Sequence, residues 1–232
     1  MTGWDRTWPP GWHVEHVAVT TSTNAVLLAD AHGRPDRSVL AAGHQTQGRG
    51  RLDRRWEAPP DASLLASLLF HRVPADPGVV TRRVSVAAVD ACRQLGRLDD
   101  VALKWPNDVL AGGAKLAGVL AQRHADGPLV VGIGVNVRWC PDGAALVGVD
   151  VDPVDVLAAL LGAYDAVGDD VGARYRTELA TLGRRVRVEL PSGPALTGTA
   201  TDVTVDGRLV VLDDSGSTHR LAVADVVHLR GA

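Results

Sequence analysis

The stretch KWPNDVLAGGAKLAG, residues 104–118, constrains the fold of this chain more than any other part of the sequence. A short strand at 101–104 leads into Pro106-Asn107-Asp108, which reads as a turn that projects polar groups off the strand end. Gly112-Gly113 then reads as a hairpin turn, pairing 108–111 with 115–123. Such a hairpin carries Lys115 back toward Asp108 and turns Leu116, Val119 and Leu120 inward. The stretch is also unusual in composition. Of 24 basic residues in the chain, only Lys104 and Lys115 are lysine. A chain that uses arginine for its other positive charges has kept a compact ammonium at two places, where a planar guanidinium would bind differently. Asparagine is equally scarce, with only Asn24, Asn107 and Asn136, and Ile133 is the single isoleucine.

The full length, 232 residues, suits one large domain or a large domain with a small one. Apolar residues make up 46% and aromatics 4%, so the core is expected to be built from Val, Leu and Ala. A net charge of −3 argues against a protein whose binding is dominated by phosphate neutralisation. Cys92 and Cys140 are too few for a disulfide framework, which fits a reduced, cytoplasmic setting. The sequence shows neither a signal-peptide pattern nor a run of about 18 apolar residues.

Residues 1–12, with three tryptophans and two prolines, read as an extended lead-in. A strand at 14–20 precedes Ser22-Thr23-Asn24 and a helical run at 25–31. Ser and Thr suit a helix N-cap, and capping alone accounts for them. The functional alternative is a polar recognition corner at the helix start. A strand at 38–43 enters HQTQGRGRLDRRW, residues 44–56, which fits neither a helix nor a strand period. Its glycines let backbone N–H groups come close to an anion, and its arginines offer guanidinium forks. Trp56 adds a flat face and Gln45 an amide. A solvated basic loop is the plain alternative, but such a loop can also close over a nucleotide and a carboxylate and exclude water.

A strand at 63–70 and a helix at 79–98 follow, with Cys92 as a core residue. LVVGIGVNV, 129–137, reads as an apolar strand. Glycine weakens a strand, so Gly132 and Gly134 mark a close approach, by packing or by a ligand, with Asn136 at the edge. No third glycine or helix follows, which excludes a dinucleotide fingerprint. Residues 153–182 read as one or two helices broken near 168–172. From 184 to 230 the pattern changes to short β runs between Pro, Gly and Asp turns, as in a small SH3-like β-barrel. His219 and His228 read as ordinary barrel residues. Lys115, at a strand start, can meet a phosphate as a point charge. Asp108 is open to three roles: coordinating a metal, orienting a lysine, or capping its turn.

Taken together, STN at 22–24, GRGRLDRRW, KWPND, KLAG and GIGVN resemble the biotin–protein ligases in both order and spacing, and the C-terminal β runs extend the resemblance over essentially the whole chain. The resemblance implies an α+β fold. A catalytic domain at 1–183 would hold a mixed sheet of the class II synthetase-like kind with helices on one side, and an SH3-like β-barrel would occupy 184–232. It implies ATP-dependent biotinylation through biotinyl-5′-AMP, with ATP, Mg²⁺ and biotin as reactants. The acceptor would be one lysine of a biotin carboxyl carrier domain, from an acetyl- or acyl-CoA carboxylase or a pyruvate carboxylase. Carried over, Ser22, Thr23, Asn24, Gln45, Arg49, Gly50, Arg51, Lys115, Gly118, Gly132 and Gly134 would hold biotin. Arg51, Arg54, Trp56, Lys104, Asn107, Asp108, Lys115 and Asn136 would hold ATP. Lys115, Arg51 and Asp108 would serve catalysis, and no metal ligands are assigned.

Asp53 stands where the family pattern usually has glycine, and Gln47 where a small residue is common. No winged-helix region precedes the strand at 14–20, so a ligase without repressor function is expected, acting as a monomer or weak homodimer without nucleic acid or membrane. The rival readings are a lipoate or octanoate ligase of the same fold and a non-catalytic, basic-loop nucleic-acid-binding module. The second should lose affinity steeply with salt and ignore biotin.

Overall fold

A computed structural model of the chain describes residues 3–52, 54–123, 127–168, 170–190, 194–222 and 225–229. Its main element is a seven-stranded mixed sheet. The strands are β1 (His13–Thr20), β2 (Ser38–Gln45), β3 (Ser63–Phe70), β4 (Val101–Lys104), β5 (Asp108–Ala111), β6 (Ala114–Arg123) and β7 (Leu129–Asn136). The spatial order is β1-β2-β3-β7-β6-β5-β4. Only β1 and β2 run parallel, and every other neighbouring pair is antiparallel.

Alternation along the strands divides the apolar residues between two faces. Leu64, Ala66, Leu68 and Phe70 of β3 join Val131, Ile133 and Val135 of β7 in the main core. The helices α2 (Gly78–Gly96) and α3 (Pro153–Ala166) cover that face, and α4 (Val171–Glu178) packs beside α2. Small side chains let α2 lie close: Val84, Ala87, Ala88, Ala91 and Cys92 are fully buried. Burial pushes the Cys92 thiol up to about 12, as expected of a core residue rather than a nucleophile. On the opposite face Leu40, Leu69 and Val130 pack with Leu27 of the short helix α1 (Thr23–Ala29). The expectation of helices on one side therefore holds for the long helices, while α1 lies across the sheet from them. The lead-in also has a docked position. Trp12 packs edge-on to Phe70 and Tyr164 beneath the Arg37 guanidinium, and Trp4 stacks on His16.

The C-terminal strands are β8 (Arg185–Glu189), β9 (Leu196–Val203), β10 (Leu209–Asp213), β11 (Thr218–Leu221) and β12 (Asp225–His228). They form a separate five-stranded antiparallel sheet in the order β11-β10-β9-β8-β12. The chain between α4 and β8 covers the β4 edge: Leu179 bridges Leu103 in parallel, and the Ala180 N–H donates to the Leu103 carbonyl at 2.8 Å. Trp105 is buried against the second sheet, its indole N–H donating to the Gly207 carbonyl at 2.9 Å. Arg82 of α2 donates to the Val205 carbonyl at 3.2 Å.

Two imidazoles make stability depend on pH. Burial is the leading cause that holds both His16 and His228 below their ordinary 6.5. The unfolded chain protonates these residues near 6.5, and the folded chain does so only at lower pH. Their contribution is therefore intact above about 6.5 and is lost as pH falls from there toward the folded values. Urea unfolding at about pH 7.5 and about pH 5.5 is expected to show lower stability in acid. The difference should shrink in a His16→Phe/His228→Gln double variant, and an undiminished difference would contradict the assignment.

Candidate active site

The face of the sheet that carries α1 is floored by glycine. Gly118 of β6 pairs with Gly134 of β7, and Gly132 faces Ser67 of β3. Two of these gaps have protein occupants. A Cβ at Gly132 would lie 2.2 Å from Asn24 Oδ1, and one at Gly134 would lie 2.5 Å from the Trp56 ring. Trp56 also lies over Gly118. The close approach expected at these glycines is thus made by Asn24 and Trp56.

Asn24 is buried and ties α1 to the sheet. Its amide donates to the Leu120 carbonyl at 3.1 Å and to Gln122 Oε1 at 2.8 Å, and its oxygen accepts from Ser67 Oγ at 2.5 Å. Ser22 occupies the N-cap position in extended conformation, but its hydroxyl makes no capping bond. Gln45 of β2 supplies the cap instead, its oxygen accepting the Thr23 N–H at 2.7 Å. The Thr23 hydroxyl lies 3.1 Å from the same oxygen and 2.7 Å from Ser67 Oγ. Ser67 has one proton, which goes to the Asn24 carbonyl oxygen. The Thr23 proton then points to Ser67 or Gln45, and a lone pair stays on Thr23 to accept from a ligand N–H. Thr23 and Gln45 of this corner are thereby held by the protein's own contacts.

Lys115 and Asp108 meet as the hairpin requires, with Nζ 2.6 Å from Oδ1. Gly112 and Gly113 supply the positive φ of its turn, at 57° and 78°. The strands carry a bulge: Val109 pairs with Ala117 but Leu110 pairs with Lys115, leaving Leu116 as the extra residue. The bulge sends Leu116 into the core and re-aims Lys115 at the cavity. Leu120, expected inward, is only half-buried and borders the cavity, because it falls on the glycine face. Asn107 stitches its turn to β6, donating to the Val119 carbonyl at 2.8 Å, and its oxygen accepts from Arg51 at 3.3 Å. That contact joins the turn to the basic loop.

The loop itself closes as a small hairpin. Arg49 bridges Arg55, the Gly50 N–H donates to the Arg54 carbonyl at 2.7 Å, and the Trp56 N–H donates to the Gly48 carbonyl at 3.1 Å. Asp53 lies outside the described residues. Gln47 is exposed and leaves the cavity unobstructed.

These parts enclose one open cavity of about 240 Å³. It is bordered by Ser22, Thr23, Asn24 and Gln45 on one side, by Arg49, Gly50, Arg51, Arg54 and Trp56 above, and by Lys104, Asn107, Asp108 and Lys115 opposite, over Gly118, Gly132 and Gly134. Asn136 is the exception among the expected residues. It is buried behind the cavity, its amide donating to the Lys115 carbonyl at 3.3 Å and the Ala145 carbonyl at 3.0 Å. It supports the Lys115 backbone and does not border the cavity. The sequence reading missed Ser67, Gln122, and Val226 and Val227 of β12, which bring the second sheet to the cavity wall. Ser67 did leave a signal: it is a polar residue in the middle of a buried apolar strand.

Residues 16–137 match the Biotin/lipoate A/B protein ligase family, and residues 181–229 match the Biotin protein ligase C terminal domain. The chain belongs to the biotin/lipoate protein ligase family. Within this family it is 39% identical to the biotin–[acetyl-CoA-carboxylase] ligase of Mycobacterium tuberculosis, over 95% of this chain and 91% of the relative. The ligase of the same name from Paracoccus denitrificans is 35% identical, over 87% and 91%. A solved biotin protein ligase from Aquifex aeolicus, in complex with biotin and ATP, superposes with a TM-score of 0.78, covering 94% of this chain and 99% of that one. At 23% identity that likeness speaks for the fold, including the C-terminal sheet.

Proposed function

We propose that the chain is a biotin–[biotin carboxyl carrier protein] ligase. The observation that carries this reading is the convergence on one cavity of the Ser22-Thr23-Gln45 corner, the arginine loop and the Lys115–Asp108 pair, in a chain so similar to biotin ligases along its length. Biotin would enter with its ureido ring at the corner and its carboxylate toward Lys115, and ATP would lie under the loop beside Asn107. In the first step a carboxylate oxygen attacks the α-phosphorus and the bond to pyrophosphate breaks. In the second, an acceptor lysine amine attacks the acyl carbon, AMP leaves and the amine gives up a proton.

The first step needs two anions aligned and their charge neutralised more than it needs a base. Lys115 and the loop arginines provide that neutralisation. Asp108 aims Lys115 until the ligand's oxygens compete for the ammonium. Mg²⁺ would arrive on the ATP phosphates. Among the described residues Asp108 is the only carboxylate at the cavity, and no cluster of three or more metal-ligating side chains is found. That donor set fits a metal held mainly by substrate oxygens.

The finer readings go with this one. The catalytic unit spans 1–183 and the barrel 184–232. The acceptor is the carrier domain of an acetyl- or acyl-CoA carboxylase or a pyruvate carboxylase. The enzyme is read as cytoplasmic, as the two cysteines suggest. The deciding experiment is acid-dependent ATP–pyrophosphate exchange with biotin, lipoate and octanoate in parallel. Exchange with biotin alone is expected. Exchange confined to lipoate or octanoate would move the chain to the other branch of its family, and exchange with none of them, in folded protein, would overturn the reading.

A further inference from the structure

Trp105 is the residue from which the Pro106-Asn107-Asp108 turn starts, and its backbone N–H is held from outside the main sheet. It donates to Thr181 Oγ1 at 3.0 Å. Thr181 is completely buried, and the same oxygen lies 3.1 Å from His228 Nε2 of β12. Next to His228, Val226 and Val227 form part of the cavity wall. One threonine thus touches both the backbone that presents Asn107 and Asp108 and the strand that closes the cavity from the barrel side.

We infer that Thr181 and His228 are positioning residues, which lock β12 onto the Trp105 backbone and thereby set where Asn107 stands in the nucleotide half of the cavity. Proton counting supports the link. Thr181 Oγ1 accepts from Trp105, so its own proton is available to a neutral His228 Nε2. Burial, with Lys104 and Arg184 nearby, favours the neutral ring. The biotin corner does not touch this pair: it is held by Gln45 and Ser67 from β2 and β3. The effect should therefore divide between the substrates, falling on ATP and sparing biotin.

This inference rests on the adenylating reading above, and its test separates the two. Thr181→Val keeps the shape and removes the hydroxyl, and Thr181→Ser restores it. In exchange assays Thr181→Val is expected to lose on the order of 10- to 100-fold in kcat/KM for ATP, the scale of a small misplacement of reacting groups. Biotin affinity by calorimetry should be unchanged, and Thr181→Ser should recover most of the loss. His228→Phe, which leaves the Thr181–Trp105 bond intact, should shift the same parameter in the same direction and serves if Thr181→Val does not fold. Unchanged ATP kinetics in the folded variant, or equal losses for ATP and biotin, would overturn the inference. If the wild type shows no exchange with any acid, the adenylating reading fails by itself. Affinity for a non-hydrolysable ATP analogue would still decide the positioning role, because Thr181→Val must weaken it and leave Thr181→Ser near wild type.

Discussion

Replacing Lys115 with arginine is expected to lower biotin-dependent ATP–pyrophosphate exchange by about 100-fold or more, with the fold intact. The charge survives this substitution, so the loss comes from geometry. Lys115 Nζ lies 2.6 Å from Asp108 and 5.7 Å from the Trp56 ring centre, above the floor at Gly118. A guanidinium is planar, directs its donors in a fixed fork and is bulkier than an ammonium. It would pair side-on with Asp108, or displace Trp56, before it could stand between a carboxylate and an α-phosphate. Misplacing a group that neutralises developing charge costs on the order of 100-fold or more in rate. Lys115→Ala should fall at least as far. With a side chain 43% exposed, neither change should move the unfolding midpoint appreciably. Near-normal exchange in Lys115→Arg would refute the argument from lysine scarcity as well as the role.

Gly132→Ala is expected to damage both stability and biotin binding. The new Cβ would sit 2.2 Å from Asn24 Oδ1 and 2.8 Å from its Cγ. Asn24 has little room to yield, because Leu120, Gln122 and Ser67 hold its amide at both ends. Relief requires moving the first turn of α1. Thr23 moves with that turn, and through it the contact with Gln45. Overpacking of this kind costs about 1–3 kcal/mol, readable by urea unfolding, and calorimetry should show weakened biotin affinity. Gly162→Ala is the control. It adds a Cβ to α3 with nothing within 4 Å, and alanine is favoured over glycine in a helix by about 0.5–1 kcal/mol. If Gly132→Ala proves as stable as the control, the close-packed reading of that glycine is wrong.

The elements themselves were legible in the sequence, because short apolar runs and paired glycines act locally. The strands at 63–70 and 101–104 and the hairpin joining Asp108 to Lys115 could be read from adjacent residues. What could not be read is which side chain fills a gap that a glycine leaves. Gly132 announced a close approach, and only the packing of α1 shows that Asn24 makes it. Ser22 looked like a cap, but a glutamine 22 residues from Thr23 does the capping. Asn136 has the composition of a ligand residue, yet the register of β7 turns it toward the Lys115 backbone. The wall made by Val226 and Val227 depends on how a second sheet docks, and no local pattern in the sequence encodes that.

The docking of Trp105 and Arg82 onto the 205–207 loop also bears on how this protein can be recombined. Two family matches, one ending at 137 and the other starting at 181, invite a crossover between them and a library of exchanged barrels. The natural unit of exchange is larger than the second match. Gly207, at φ 85°, brings its carbonyl to the Trp105 indole and leaves the Arg82 guanidinium where a Cβ would otherwise stand, 2.5 Å away. A foreign barrel with a bulkier or differently turned loop would leave the Trp105 indole N–H without its acceptor at the seam and Arg82 with Asp76 alone. Chimeras that carry residues 82 and 105 together with the barrel should therefore survive selection more often than those cut at the sequence boundary.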